Sequence, residues 1–146
     1  MQRTLERRTA RRPDWTVPTL ILWVVAAFYA YGGLVHLMNM AGLSGFTWLD
    51  APLKWQALDV IYLILDGLVV WGFCAGRRIG YAAFYIAAGS QIVLYTVVRA
   101  WIMDVPAEFA RPPEDLTYLD GLVVFHLVSA SLVTFAILRR RKKTLH

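Results

Sequence analysis

The sequence predicts an all-α integral membrane protein: one domain, residues 1–146, built as a four-helix bundle with both termini on the cytoplasmic side. Three observations carry this. The 146-residue chain is 58% hydrophobic, with a mean hydropathy of +0.50, against about 45–50% apolar residues in soluble domains. The excess is gathered into four blocks of roughly 20 residues or more, the length that hydrocarbon requires of a crossing helix. The 15 lysines and arginines, Arg99 excepted, lie between and beyond those blocks.

The elements follow in order. Span 1 covers 17–40, with Pro13 and Pro18 at its start, where a missing N–H costs least. Span 2 covers 55–75, span 3 covers 79–103 and span 4 covers 116–138. Trp15, Trp48, Trp55, Trp101 and Tyr118 flank them as interfacial anchors. The turn CAGRRIG is short enough to make spans 2 and 3 antiparallel neighbours. The segment 41–54 carries Gly42, Gly45 and Pro52 with Phe46 and Trp48, an interfacial loop. The segment 104–115, with Pro106, Pro112 and Pro113, reads as an ordered or extended cap.

Charge placement orients the bundle. Arg3, Arg7, Arg8, Arg11 and Arg12 precede span 1, Arg77 and Arg78 lie between spans 2 and 3, and Arg139, Arg140, Arg141, Lys142 and Lys143 follow span 4. The other two loops hold only Lys54 and Arg111, against several acids. The positive-inside rule then places both termini in the cytoplasm of a bacterial-type inner membrane. The first apolar run is too long for a signal-peptide core and has no clear cleavage site, so it is expected to remain as an anchor.

Several function classes drop out. The net charge of +5 is a topology signal, and aromatics do not interleave with the basic runs, which argues against nucleic-acid binding. The single cysteine, Cys74, excludes thiol-relay chemistry and a cysteine metal cage. There is no GxSxG, HExxH or P-loop motif.

What remains is a set of polar residues within apolar spans: His36, Asn39, Asp59, Asp66, Gln91, Tyr95, Arg99, Asp120 and His126. Such groups are costly in hydrocarbon and face a bundle interior or a water-filled cavity. They fall in stripes at helical spacing: Tyr29, Gly32, Gly33, His36 and Asn39 in span 1; Asp59, Tyr62 and Asp66 in span 2; Gln91, Tyr95 and Arg99 in span 3. Counted along the helices, His36 and Asp59 lie about 6 Å from the outer end and Asp66 about 16 Å. A mid-membrane carboxyl with no cation at its own depth holds a proton or faces water.

These residues admit several readings. They form interhelical hydrogen bonds, with Gly32, Gly33, Gly67 and Ala88 permitting close approach and Arg99 pairing with Asp59 or Asp120. Alternatively His36, Asp66, Gln91, Tyr95 and His126 line a pocket for an apolar or quinone-like ligand. His36 and His126 on different spans could also hold a b-type haem, with Gly32 and Gly33 clearing room for the porphyrin. A metal site from His36, Asp59 and His126, or proton transport on Asp66, are further alternatives.

With four spans, a glycine-containing face late in span 1 and the turn GLVVWGFCAGRRIG, the chain resembles the small DoxX-like membrane proteins. The resemblance implies a membrane subunit linked to quinone redox systems, working beside a protein partner or a second copy. The layout is also similar to that of four-span sterol isomerases, whose pockets use membrane-embedded carboxylates. The leading expectation is a non-catalytic accessory subunit that binds an apolar or quinone-like ligand in an outward-facing intramembrane pocket.

Overall fold

The computed structural model describes residues 16–143. The N-terminal arginines, Pro13, Trp15 and His146 lie outside the described residues. Five α-helices follow one another: α1 (Val17–Met40), α2 (Leu53–Cys74), α3 (Arg78–Thr96), the short α4 (Arg99–Met103) and α5 (Thr117–Lys143), with 3₁₀ turns at Trp48–Asp50, Ala107–Phe109 and Pro113–Leu116. Four of them are long and apolar enough to cross a membrane. That is the make-up of a multi-pass membrane protein.

The four long helices pack in a ring, with α1 and α3 each seated against both α2 and α5. The arrangement inverts that of a water-soluble protein. Trp23, Phe28, Leu34, Ile64 and Trp71 are exposed on the outside, while Asp59, Asp66, Gln91, His126 and Ser129 are buried. Apolar faces turned outward suit a solvent that is itself apolar.

Glycines end α1 and α2 in the same way. Gly42 (φ +71°) and Gly76 (φ +64°) take the left-handed conformation. The following N–H, of Leu43 or Arg77, then reaches back to the Met38 or Gly72 carbonyl at 2.9 or 2.7 Å. This closure satisfies carbonyls that the helix end leaves open. The turn at Gly76 is therefore tight, as the sequence predicts, and it defines a turn end of the bundle. The segments 41–52 and 104–116 define the opposite, loop end.

The turn end is closely packed. Gly72 of α2 lies against Gly80 of α3 so tightly that a Cβ on Gly80 would sit 2.7 Å from the Gly72 carbonyl carbon. Val69, Phe84 and Val133 are completely enclosed nearby, with Ala83, Ala87 and Tyr29 in the same core. Arg140 Nη2 donates to Thr19 Oγ1 at 3.0 Å, and Nη1 to the Tyr81 hydroxyl at 3.3 Å, tying α5 to α1 and α3. Gly67, expected to bring helices together, does not: a Cβ there would meet nothing within 4 Å, and Gly72 and Gly80 make the close approach instead.

One expected boundary is corrected. Span 3 is not one helix over 79–103. It stops at Thr96 and resumes at Arg99. The Val98 N–H bonds the Val93 carbonyl, five residues back, at 3.1 Å, and Thr96 Oγ1 bonds the Ile92 carbonyl at 2.6 Å. A widened turn beside a threonine bonded back to its own helix bends the axis. Hydropathy is blind to this, because Val97 and Val98 continue the apolar run.

Candidate functional site

A cavity of about 710 Å³ occupies the loop-end half of the bundle. All four long helices contribute to its wall, together with Ile102 and Met103 of α4 and with Ser44, Phe46 and Arg111 from the loops. Three polar groupings lie on it.

The first is built on Asp59, which is 7% exposed. Its Oδ1 accepts from His36 Nδ1 at 2.7 Å and from Asn39 Nδ2 at 2.9 Å, and its Oδ2 accepts from Trp48 Nε1 at 2.9 Å. Ser44 Oγ donates in turn to Asn39 Oδ1 at 2.5 Å. His36 and Asn39 reach Asp59 together because they are three apart on α1. Trp48 arrives on the 3₁₀ turn of the following loop. The carboxylate thus binds the end of α1 and the loop 41–52 to α2. Of the two partners expected for Arg99, Asp59 and Asp120, the structure gives it Asp120. Arg99 Nη1 donates to Asp120 Oδ1 at 2.5 Å and Nη2 to the Leu116 carbonyl at 3.1 Å, because the break at Val97–Val98 turns α4 toward the start of α5.

The second grouping is Asp66, 3% exposed. His36 Nε2 lies 3.9 Å from its Oδ2, and the His36 ring is stacked on Tyr62. Asp66 therefore does have a cation-capable partner, contrary to the depth estimate. Helical side chains lean toward their own N-terminus. In antiparallel α1 and α2, His36 therefore leans away from the loop end and Asp66 toward it, and the two meet. Gly32 makes this possible: a Cβ there would sit 2.8 Å from Asp66 Oδ2. The space cleared by Gly32 and Gly33 holds this carboxyl and the Leu63 side chain rather than a porphyrin.

The third joins α1, α3 and α5. The pattern assigns His126 Nε2–H as donor to Gln91 Oε1 at 2.8 Å, and Nδ1 as a long acceptor for the Tyr29 hydroxyl at 3.4 Å. Both histidines thus have their Nδ1 and Nε2 turned to other protein groups, in separate clusters. The residues do not fit a bis-histidine haem. Among the described residues no three His, Cys, Asp or Glu side chains form a group that could hold a metal ion.

All five residues expected to line a pocket (His36, Asp66, Gln91, Tyr95 and His126) lie on this one cavity, with Asp59. Arg99 and Asp120 lie off it. Sequence reasoning missed the roles of Trp48, as a donor to Asp59, and of Arg111, at the loop-end margin. Both do lie in loops, and only the folded path of those loops brings Trp48 to Asp59 and Arg111 to the cavity.

The loop end is closed over by aromatic rings. Phe46, Trp55 and Phe109 meet edge to face, with centroids 6.2–6.4 Å apart. Trp55 Nε1 donates to the Ile102 carbonyl at 3.0 Å, and Lys54 Nζ bonds the carbonyls of Trp101 and Asp104. The side wall differs. Phe28 and Tyr31 of α1 and Tyr118 of α5 line the cavity yet are 54%, 67% and 61% exposed. Phe28 and Phe125 touch across the α1–α5 seam, with ring centroids 4.9 Å apart.

The arrangement is an apolar-walled chamber with a few convergent polar groups at its deep end, the general form of a small-molecule site. No protein-family model matches this chain, and no curated protein or solved structure matches it either.

Proposed function

We propose that this protein is a small accessory subunit of a bacterial-type inner membrane that binds an apolar, quinone-like amphiphile in the cavity. The observation that carries the reading is the pairing of an apolar chamber with a polar lining from His36, Asp66, Gln91, Tyr95 and His126, of which Asp66, Gln91 and His126 are buried. A head group would sit among those residues, and an apolar tail would leave between α1 and α5, where exposed lining residues meet the lipid face. The DoxX-like resemblance points the same way, toward a quinone-linked assembly with a protein partner or a second copy. In this reading both termini are cytoplasmic, and the cavity lies in the outward-facing half of the bundle, open sideways to the lipid.

Protein purified in mild detergent is extracted and its small molecules are identified by mass spectrometry. The expected result is a quinone-class lipid enriched over the bulk membrane extract. Decylubiquinone, in its oxidised or its reduced quinol form, added to delipidated protein in nanodiscs should quench tryptophan fluorescence saturably, since Trp48 and Trp55 flank the site. The absence of both enrichment and saturable quenching would overturn the reading. Orientation is tested separately at Cys74, the exposed thiol at the turn end. It should react with a membrane-impermeant maleimide in inverted vesicles and be protected in intact spheroplasts.

A further inference from the structure

Asp59 and Asp66 lie two turns apart on α2, yet their hydrogen bonding is opposite. Asp59 accepts from three donors. Among the described residues Asp66 has none within hydrogen-bonding distance, its nearest cation-capable atom being His36 Nε2 at 3.9 Å. It is nevertheless 97% buried and lines the cavity. No wholly occluded side-chain oxygen or nitrogen lacks a partner among the described residues, so the Asp66 oxygens are open to the chamber. Tyr95 also lines the chamber, and among the described residues its hydroxyl has no hydrogen-bond partner.

A carboxylate offers acceptors and nothing else. A buried acceptor left unmatched is costly, so an occupant is selected by whether it brings a donor to that point. A quinone carbonyl brings only lone pairs and would set oxygen against oxygen. A hydroxyl can donate to Asp66 and still accept from a neighbour. The 3.9 Å gap between Asp66 Oδ2 and His36 Nε2 is wide enough for one polar atom to contact both at ordinary hydrogen-bond lengths.

We infer that the deep end of the cavity recognises a hydrogen-bond donor, so that its ligand is an amphiphile headed by O–H or N–H, such as a quinol, rather than an acceptor-only head such as a quinone. This rests on the reading of the cavity as an amphiphile site and specifies its chemistry.

The test uses unmodified full-length protein in nanodiscs and matched probes that differ only in the donor. Decylhydroquinone is compared with its bis-methyl ether. 4-Decylbenzylamine is compared with its N,N,N-trimethyl analogue. Binding is read by tryptophan quenching and by competition. The donor-bearing member of at least one pair should bind on the order of tenfold tighter or more, the worth of a hydrogen bond to a charged group. Preference in the first pair alone identifies a hydroxyl head, and preference in the second alone an ammonium head. Either result supports the inference. Equal saturable binding within both pairs overturns it and leaves the cavity reading standing. No saturable binding by any probe removes both. Asp66→Leu, which leaves no acceptor at that position, should bring the preferred pair to within about twofold of parity. A wild-type ratio that persists in a variant of unchanged melting temperature would also overturn the assignment. Should Asp66→Leu fail to fold, the unmodified protein's selectivity still decides.

Discussion

The two halves of this bundle are built from the same four helices and reach opposite outcomes. At the turn end, glycine and alanine bring backbones together, and Val69, Phe84 and Val133 are fully enclosed between them. At the loop end the larger rings of His36, Tyr62, Tyr95, Phe125 and His126, all but Phe125 polar, line a chamber instead. In hydrocarbon, association of helices rests on packing and interhelical hydrogen bonds rather than on hydrophobic burial. A short chain can therefore anchor itself with one dry half and leave the other partly open. The comparison assigns stability to the turn end and ligand chemistry to the loop end, and substitutions separate the two.

The largest expected loss is at the glycine contact. Gly80→Val would drive a side chain into the Gly72 and Phe73 backbone, where atoms 2.7–2.8 Å from the new Cβ belong to a helix and cannot turn aside. A cost of about 3 kcal/mol is expected, read as a lower melting temperature and earlier unfolding in sodium dodecyl sulfate. Gly89→Ala, in the same helix with nothing within 4 Å of the new Cβ, should change stability by less than about 1 kcal/mol, and in the favourable direction.

Next is Asp59→Ala, the exception that sharpens the division, because Asp59 is a structural group at the loop end. Its loss strands the His36, Asn39 and Trp48 donors together and should cost about 2–3 kcal/mol. Trp48 emission should shift to longer wavelength as the loop 41–52 loosens. Were Asp59→Ala as mild as Gly89→Ala, Asp59 would not be the tie between that loop and α2.

Much of this was legible in the chain and some of it was not, for physical reasons. Four long apolar helices follow from hydropathy, and the inward stripes follow from helical spacing, because burying Asp66, Gln91 and His126 is the only arrangement an apolar solvent permits. Partner choice was not legible. Asp59 could be matched to Arg99 by depth alone, and only the widened turn at Val97–Val98 sends Arg99 to Asp120. The meeting of His36 with Asp66 was hidden because counting residues measures Cα depth, whereas the side chains lean toward each other from antiparallel helices. Gly32 was recognised as a clearing, and the Asp66 carboxyl that occupies it was not.

Gly32→Ala offers a smaller effect and a finer test. The clash distance, 2.8 Å to Asp66 Oδ2, nearly equals that at Gly80, but here the obstacle is the end of a side chain beside a cavity. The carboxyl can swing into the chamber, so stability should fall by about 1 kcal/mol or less. Binding of decylhydroquinone should fall with it, because the acceptor no longer stands where the head group meets it. A loss of stability as large as that of Gly80→Val would show the loop end to be as rigid as the turn end.

The smallest effect is expected at Arg99 and Asp120, whose side chains are 32% and 64% exposed. An ion pair so open to solvent gains little over hydration, about 0.5 kcal/mol or less, and salt screens it. Asp120→Asn should therefore lower the melting temperature only slightly at low ionic strength and not at all in 1 M salt. Arg99→Ala should cost more than Asp120→Asn, because it also removes the donor to the Leu116 carbonyl. Neither change should alter decylhydroquinone binding, since both residues lie off the cavity. If Asp120→Asn abolished binding while leaving the melting temperature unchanged, the ion pair would act on the chamber through α4, and the loop end would have to be treated as one coupled unit rather than a cavity with a separate surface bridge.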